Sequence, residues 1–411
     1  MGQVPASLWR GKTPSIWVHA VSVGEVVTVR PLLDALRLVY PTHRLLLSTT
    51  TATGQKVAHQ LGDVVDGVFY APLDLPRFVR RSLASVSPEL MIFVDTEIWP
   101  NWLRACRRRG VKTVIVNGRI SDRSYRGYRR GRPFMRRVLR DVDRVCAQTN
   151  RWGQRFVNLG LPAERLAVTG SLKFDASDGA KASETDPGDG LLTRFAFARD
   201  RMVVMAASTL SGEDEPVLRA FEEVRKTDSR AVLVLAPRHP ERASTVMASA
   251  NACGFTTVAR TALETHAESS VDVIVLDTVG ELARLFQLAS IVFVGGSLVP
   301  AGGHNILEPA VYRKPIVFGP HMQNFAETAD IFVRHGAAVQ VHSAQELEQV
   351  LVALTRDPAR CATLGAAAYA VVEANRGAGI RTLDVIRVLL PPNSSPRRDD
   401  VRPEPTARGR T

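Results

Sequence analysis

Unbroken apolar runs of strand length recur along the chain, separated by helix-length segments in which polar and apolar positions alternate. In the first half the runs are Ile16–Ala20, Leu45–Thr49, Leu90–Val94, Thr113–Val116 and Arg144–Ala147. In the second half they are Met202–Ala206, Ala231–Ala236, Val271–Leu276, Ile291–Val294 and Pro315–Phe318. Continuous hydrophobicity, rather than strict alternation, marks parallel strands covered on both faces. Val27–Val39 and Glu213–Lys226 carry the intervening helical pattern. This alternation predicts an α/β protein of two doubly wound, Rossmann-like domains. The polar stretch Asp175–Gly190, rich in Gly, Ser and Asp, breaks the pattern. It divides the chain into a first domain at 1–175, a linker at 176–190 and a second domain at 191–390. Residues 391–411, Pro- and Arg-rich with little to bury, read as a disordered tail. Ligands of open parallel sheets bind beyond the carboxyl ends of the strands, so a central cleft faced by both domains is the expected site.

Composition narrows the class. At about 150 residues per domain, 411 residues suit two or three domains with full cores. Charged residues at 23% against 45% hydrophobic exclude wholesale disorder and fibrous architectures. No apolar run approaches the ~18 residues of a membrane span. Met1–Pro14 lacks the apolar centre of a signal peptide. Cysteines 106, 146, 253 and 361 form no CxxC pair, so a disulfide scaffold or cysteine zinc site is not expected and a reducing compartment fits.

Charge is distributed unevenly. Residues 1–175 hold 28 Lys and Arg against 13 Asp and Glu, a net of +15; residues 176–411 hold 25 against 28, a net of −3. The segment from Arg123 to Asp141 carries eight arginines, with Tyr125, Tyr128 and Phe134 interleaved. Such a cluster attracts polyanions (nucleic acid, an anionic bilayer, a phosphorylated lipid) or is simply a solvated helix face.

Candidate chemistry follows the strands. After the first, Gly24 is expected to permit a tight turn and Glu25 to sit at the start of a helix, as a dipole partner or as a general base. After Leu90–Val94, Asp95 and Glu97 would share a face if the strand continued, with a helix opening at Pro100 or Asn101. A metal there lacks further ligands. Lys173, among small residues near the domain boundary, could oppose a developing anion. In the second half, Arg238 after Ala231–Ala236 could clamp a phosphate or carboxylate. Val279-Gly280-Glu281 and the glycine turn Gly302-Gly303-His304-Asn305 also follow strands. The turn would open a helix whose backbone N–H groups favour phosphate, with Glu308 placed for ribose hydroxyls. Each segment could equally be a plain tight turn. GxGxxG and GxxxxGK[ST] are absent, which disfavours dehydrogenase and P-loop readings. Asp141-Val142-Asp143 has a DxD form but precedes a strand inside the arginine-rich region and is taken as coincidence, and His59 and His266 stand in no motif.

HAVSVGEV, DTEIWPN, VNGRISDRS, TGSLKFD, PRHPER and FVGGSLVPAGGHNILEPA occur in this order from His19 to Ala310. Together they resemble the 3-deoxy-D-manno-octulosonic-acid (Kdo) transferases of lipopolysaccharide synthesis, over roughly Ile16 to Val388. The resemblance implies a GT-B fold whose last helix, within Leu364–Val388, crosses back to the first domain. It also implies metal-independent, inverting transfer of Kdo from CMP-Kdo to the lipid A precursor, with no cofactor. Glu25 matches the family's general base. Asp95 and Lys173 match its transition-state-stabilising positions, although the family commonly has Glu where Asp95 stands, which leaves open a part for Glu97. Pro237 and Arg238, Val279 to Glu281, and Asn305, Ile306, Leu307 and Glu308 match the CMP-binding segments. Arg119, Arg123 and the arginine run are expected to meet lipid A phosphates and the anionic membrane. The chain begins about where the family's membrane anchor ends, so a peripheral place on the cytoplasmic face of the inner membrane is expected. The rivals are another GT-B enzyme with a different nucleotide sugar, separable by CMP against UDP competition, and a basic nucleic-acid-binding protein. The latter lacks any RRM, KH, zinc-finger or helix-turn-helix signature, so no nucleic-acid partner is expected.

Overall fold

A computed structural model describes residues 4–8, 13–176, 191–195, 200–263 and 271–392. The chain divides into two compact units, Met1–Ala176 with Arg376–Thr411, and Ser177–Asn375. The expected linker from 177 to 190 and the tail from 393 onward lie outside the described residues.

The first unit is one seven-stranded parallel sheet: β1 (Ser15–His19), β2 (Arg44–Thr49), β3 (Gly67–Tyr70), β4 (Leu90–Val94), β5 (Lys112–Gly118), β6 (Arg144–Ala147) and β7 (Leu166–Val168). Their order in space is β3-β2-β1-β4-β5-β6-β7. The chain therefore steps one way from β1 and the other way from β4, and the switch between those two central strands is where doubly wound sheets bind ligands. Alternate residues of β1 feed two separate cores. Ile16 and Val18 pack with Val26, Val29 and Leu33 of the Val23–Val39 helix. Trp17 joins Phe93, Trp102 and Phe156 on the opposite face. Covering on both faces is why these strands read as continuous apolar runs.

The Ala378–Leu389 helix belongs to this first unit, placing Ala378, Leu383 and Ile386 in the core of the Val23–Val39 helix. The Tyr40 hydroxyl donates to the Leu390 carbonyl at 2.5 Å. Asp175 accepts from the backbone N–H groups of Gly377 at 2.8 Å and Gly379 at 2.6 Å. It was expected to open a loop and is instead helical, within Leu172–Ala176. The preceding Pro358–Asn375 helix stays with the second unit, so the second domain ends at Asn375 and not at 390.

The second unit repeats the plan with β8 (Val203–Thr209), β9 (Val232–Pro237), β10 (Thr257–Ala259), β11 (Val273–Val275), β12 (Ile291–Val294), β13 (Ile316–Phe318) and β14 (Val339–Gln340). The order is β10-β11-β9-β8-β12-β13-β14, all parallel, with the switch between β8 and β12. Among the described residues, no helix is long and apolar enough to cross a membrane.

Candidate functional site

Glu25 is the third residue of the Val23–Val39 helix, directly beyond β1 at the first switch. Its carboxylate reaches back over the helix start. Val21 N–H donates to Oε2 at 2.8 Å and the Ser22 hydroxyl to Oε1 at 3.1 Å, a variant of the capping box. Gly24 is also helical, has no positive φ, and a Cβ there would meet open space, so it makes no tight turn. Burial pushes the Glu25 pKa up to about 7, with the nearby Asp95 and Glu97 charges adding to the rise against the Val21 and Ser22 bonds. A carboxyl group near half-ionisation at neutral pH can take a proton and release it again.

β4 does not continue past Val94. Asp95 takes a left-handed conformation (φ 61°), so the shared face expected for Asp95 and Glu97 does not arise from strand alternation. A sharp turn brings the two carboxylates near Glu25 instead. Asp95 accepts from Asn117 Nδ2 at 2.5 Å and pairs with Arg119 at 3.3 Å. Glu97 accepts from the Trp99 indole at 2.7 Å, and burial raises its pKa. Pro100 opens the next helix, whose second and third N–H groups are capped by Asp74, a residue in no motif. Lys173 is half-buried in the Leu172–Ala176 helix, which packs on the helix carrying Glu25.

Arg123 lies exposed at the start of the Asp122–Arg130 helix. That helix and its successor, Arg132–Leu139, resolve the arginine–aromatic interleaving. Tyr125 and Tyr128 pack on the core while Arg126, Arg129, Arg130, Arg132, Arg136 and Arg137 stay exposed. Phe134 is exposed with them at 59%. Asp141 and Asp143 of the DxD sequence are consumed by Arg107 and by Thr113 N–H. Among the described residues, no group of three or more His, Cys, Asp or Glu could hold a metal ion.

In the second unit a cavity of about 310 Å³ opens at the β8–β12 switch, lined by Ser208, Arg238, His304, Asn305, Glu308 and Phe325 among others. Burial, then the Arg238 and His239 charges, push His304 down to about 4, so the imidazole is neutral at pH 7. Its Nε2 is buried with no hydrogen-bond partner among the described residues. Glu308 is half-buried on the cavity wall, and desolvation there raises its pKa against the bond from Asn305 Nδ2 at 3.0 Å and the Arg238 charge. Gly302 and Gly303 both have positive φ (95° and 74°), and a Cβ on either would strike Asn324 or Met322. The turn therefore requires glycine.

The helix beyond this turn, Leu307–Val311, has five residues, and Asn305 Oδ1 already accepts from Leu307 N–H at 3.1 Å. Of the backbone N–H groups at this helix start that were expected to favour phosphate, the one on Leu307 is thus already engaged within the chain. Pro237, Ile306 and Leu307 are buried and offer only their backbones. Val279 is 86% exposed and Gly280 forms a positive-φ turn. Glu281 is held by Arg260 at 2.7 Å and Thr278 at 2.6 Å, and none of these three residues lines the cavity.

The family model described as 3-deoxy-D-manno-octulosonic-acid transferase (kdotransferase) matches residues 1–176. A 3-deoxy-D-manno-octulosonic acid transferase of Haemophilus influenzae is 36% identical over 380 residues, covering 92% of this chain and 88% of that protein. The Bordetella pertussis transferase of the same description is 34% identical, covering 91% and 87%. The chain belongs to the Kdo transferase family. It is thus a glycosyltransferase. Among solved structures, UDP-GlcNAc 2-epimerase from Neisseria meningitidis is similar with a TM-score of 0.63 at 12% identity, covering 90% of this chain and 99% of that one. MurG from Acinetobacter baumannii is similar at 0.57 and 12%, covering 91% and 100%. These likenesses speak to the GT-B fold alone.

Sequence reasoning passed over several residues that shape this Kdo transferase's strand ends. Glu213, fully buried, accepts from the N–H groups of Leu210, Gly296, Ser297 and Leu298 at 2.7–2.9 Å, fixing the loop after β12. Its signal was a carboxylate one residue before the Asp214–Thr227 helix, which resembles any helix start. Asn117 and Ser208 both take left-handed φ, 55° and 57°, at register shifts in β5 and β8. Nothing in local sequence announces either.

Proposed function

We propose that the chain transfers Kdo from CMP-Kdo to a hydroxyl of the lipid A precursor, lipid IVA, with inversion at the anomeric carbon. The observation that carries this reading is Glu25, a carboxylate anchored beyond β1 with its pKa near 7. It takes the acceptor hydroxyl's proton as the oxygen attacks the anomeric carbon. The new C–O bond forms on one face while the bond to the CMP phosphate breaks on the other. CMP departs as an anion and needs no protein acid. The transition state is oxocarbenium-like, as in glycoside hydrolysis. Asp95 and Lys173 stabilise it, and Glu97 keeps the local field negative.

Arg238 and the Gly302–His304 turn hold the CMP phosphate in the second unit, while Asn305 and Glu308 supply polar contacts to the nucleoside. Pro237, Val279, Gly280, Glu281, Ile306 and Leu307 act through their backbones or support this site. In this reading transfer proceeds without a resident metal, and the three carboxylates of the first unit accept hydrogen bonds from N–H and O–H donors. Arg119 and Arg123 meet acceptor phosphates, and the exposed arginines around Phe134 hold the protein peripherally on the anionic cytoplasmic face of the inner membrane.

A transfer assay with CMP-Kdo generated in situ and lipid IVA in detergent, read by mass spectrometry, tests this. Wild type should add Kdo, Glu25→Ala should not, and CMP should inhibit where UDP does not. Addition unchanged in Glu25→Ala overturns the base assignment. Equal inhibition by UDP overturns the donor.

A further inference from the structure

We propose that Asn117 is a positioning residue for Kdo transfer, one amide that clamps Asp95 and the start of the Lys173 helix in a single geometry. The proposal rests on the reading of Asp95 and Lys173 given above. Asn117 is wholly buried, so it touches no substrate. It sits at the carboxyl end of β5, beside the β4 strand that delivers Asp95. Its Nδ2 donates to Asp95 Oδ1 at 2.5 Å, and its Oδ1 accepts from Leu172 N–H at 3.0 Å. These partners lie 22 and 55 residues away in sequence.

The amide can face only one way. Leu172 N–H can only donate, and the Asp95 carboxylate, paired with Arg119, accepts. The backbone is committed to this arrangement. Asn117 has φ 55° inside a strand, where the register between β5 and β6 shifts, and its carbonyl accepts from Gln148 Nε2 at 2.8 Å. Asn is among the few residues other than Gly that tolerate this region. Asp95, itself at φ 61°, hangs its N–H on the Val116 carbonyl at 2.9 Å, next to Asn117 in the chain.

Few side chains replace this clamp. Asp keeps the acceptor for Leu172 but sets a second carboxylate against Asp95. Ser falls short of both partners, and Gln is a methylene too long. Leu leaves a buried N–H and a buried carboxylate oxygen without their partner. Because a displacement of about 1 Å at reacting groups can lower a rate about a hundredfold, the clamp acts on rate rather than on substrate binding.

The test measures kcat, KM for CMP-Kdo and Tm of the full-length protein for Asn117→Ala and Asn117→Asp, each in wild-type and Asp95→Ala backgrounds. The expected result is a kcat at least about tenfold lower with donor KM within about twofold, and most of that loss missing where Asp95 is already Ala. If Asn117→Ala fails to fold, Asn117→Asp, which retains the Leu172 acceptor and tolerates the left-handed backbone, carries the test. A drop in Tm with kcat per folded enzyme unchanged, or the same fold-loss in both backgrounds, overturns the proposal. Separately, wild-type kcat in Asp95→Ala and Lys173→Ala would overturn the underlying reading and this proposal with it. Slowed Asp95 and Lys173 variants beside wild-type rates for Asn117 variants would overturn this proposal alone.

Discussion

The two units share a sheet plan and differ in what they gather at its centre. The first carries the protein's excess positive charge, +15 over residues 1–175, yet assembles Glu25, Asp95 and Glu97 at the β1–β4 switch. The second is net negative, −3 over 176–411, yet sets Arg238, a neutral His304 and a two-glycine turn at the β8–β12 switch. Net charge and site chemistry separate because they occupy different places. Arginines of the first unit lie on the outward faces of the Asp122–Arg130 and Arg132–Leu139 helices, where they shape the long-range field. The carboxylates lie half-buried at strand ends, where each is fixed by short hydrogen bonds. The architectural device is nevertheless common to both. A left-handed residue other than glycine sits next to the last position of an interior strand, Asn117 on β5 and Ser208 on β8, and a buried polar side chain, Asn117 or Glu213, ties neighbouring loops together.

If chemistry belongs to the first unit and nucleotide binding to the second, Glu25→Gln should lower kcat by about a thousandfold while CMP affinity, read by calorimetry, stays put. A parallel loss of CMP affinity would break the division. Next in size, Glu213→Ala should strip four N–H groups, two of them buried, of their acceptor and destabilise the second unit by about 3 kcal/mol or more. Differential scanning calorimetry should then show a transition of the second unit moved to lower temperature. A shift confined to the first unit would contradict the assignment of this loop. Arg238→Ala should raise donor KM about tenfold or more, as expected for losing a charge-assisted phosphate contact. The pH dependence of kcat should remain, with activity rising as Glu25 ionises through about 7.

The smallest effect concerns stability against pH. Glu25 has a folded pKa near 7, above the ordinary carboxylate value of 4.5, so the folded state holds the extra proton and stability falls as pH rises across that window. His19, fully buried against Trp99 and Trp102, is pushed from 6.5 down to about 4, and its stabilisation is lost as pH falls through that range. Glu25→Gln removes only the first dependence. From pH 5 to pH 8 the variant should gain on wild type by on the order of 1–2 kcal/mol in denaturant titrations. A constant difference would mean that Glu25 is not desolvated in the folded protein.

The predicted strands correspond to ten of the fourteen described, and the four that were missed are instructive. β3 and β7 are the two edges of the first sheet, and β10 and β14 the two edges of the second. Edge strands are here two to four residues long and partly exposed, so they lack the continuous apolar run of a strand buried on both faces. Site residues divide in a similar way. Glu25, Arg238 and the glycine turn were legible because they directly follow interior strands. Asn117, Glu213 and Asp175 were not, because their partners lie 55, 83 and 202 residues away.

The sequence by itself determined the two parallel sheets, their interior strands, the placement of candidate groups at strand ends and the family. All but the family rest on local patterning: burial on both faces leaves an apolar run, and a turn after a strand leaves small or polar residues; the family rests on six motifs and their order. Tertiary structure decided that Glu25 has company, that Asp95 leaves its strand left-handed, and that Asn117 ties Asp95 to the Leu172–Ala176 helix. Each of these depends on a hydrogen bond, a charge or a packed face supplied by a distant segment, and the desolvation that moves Glu25 to about 7 exists only once those segments have closed around it.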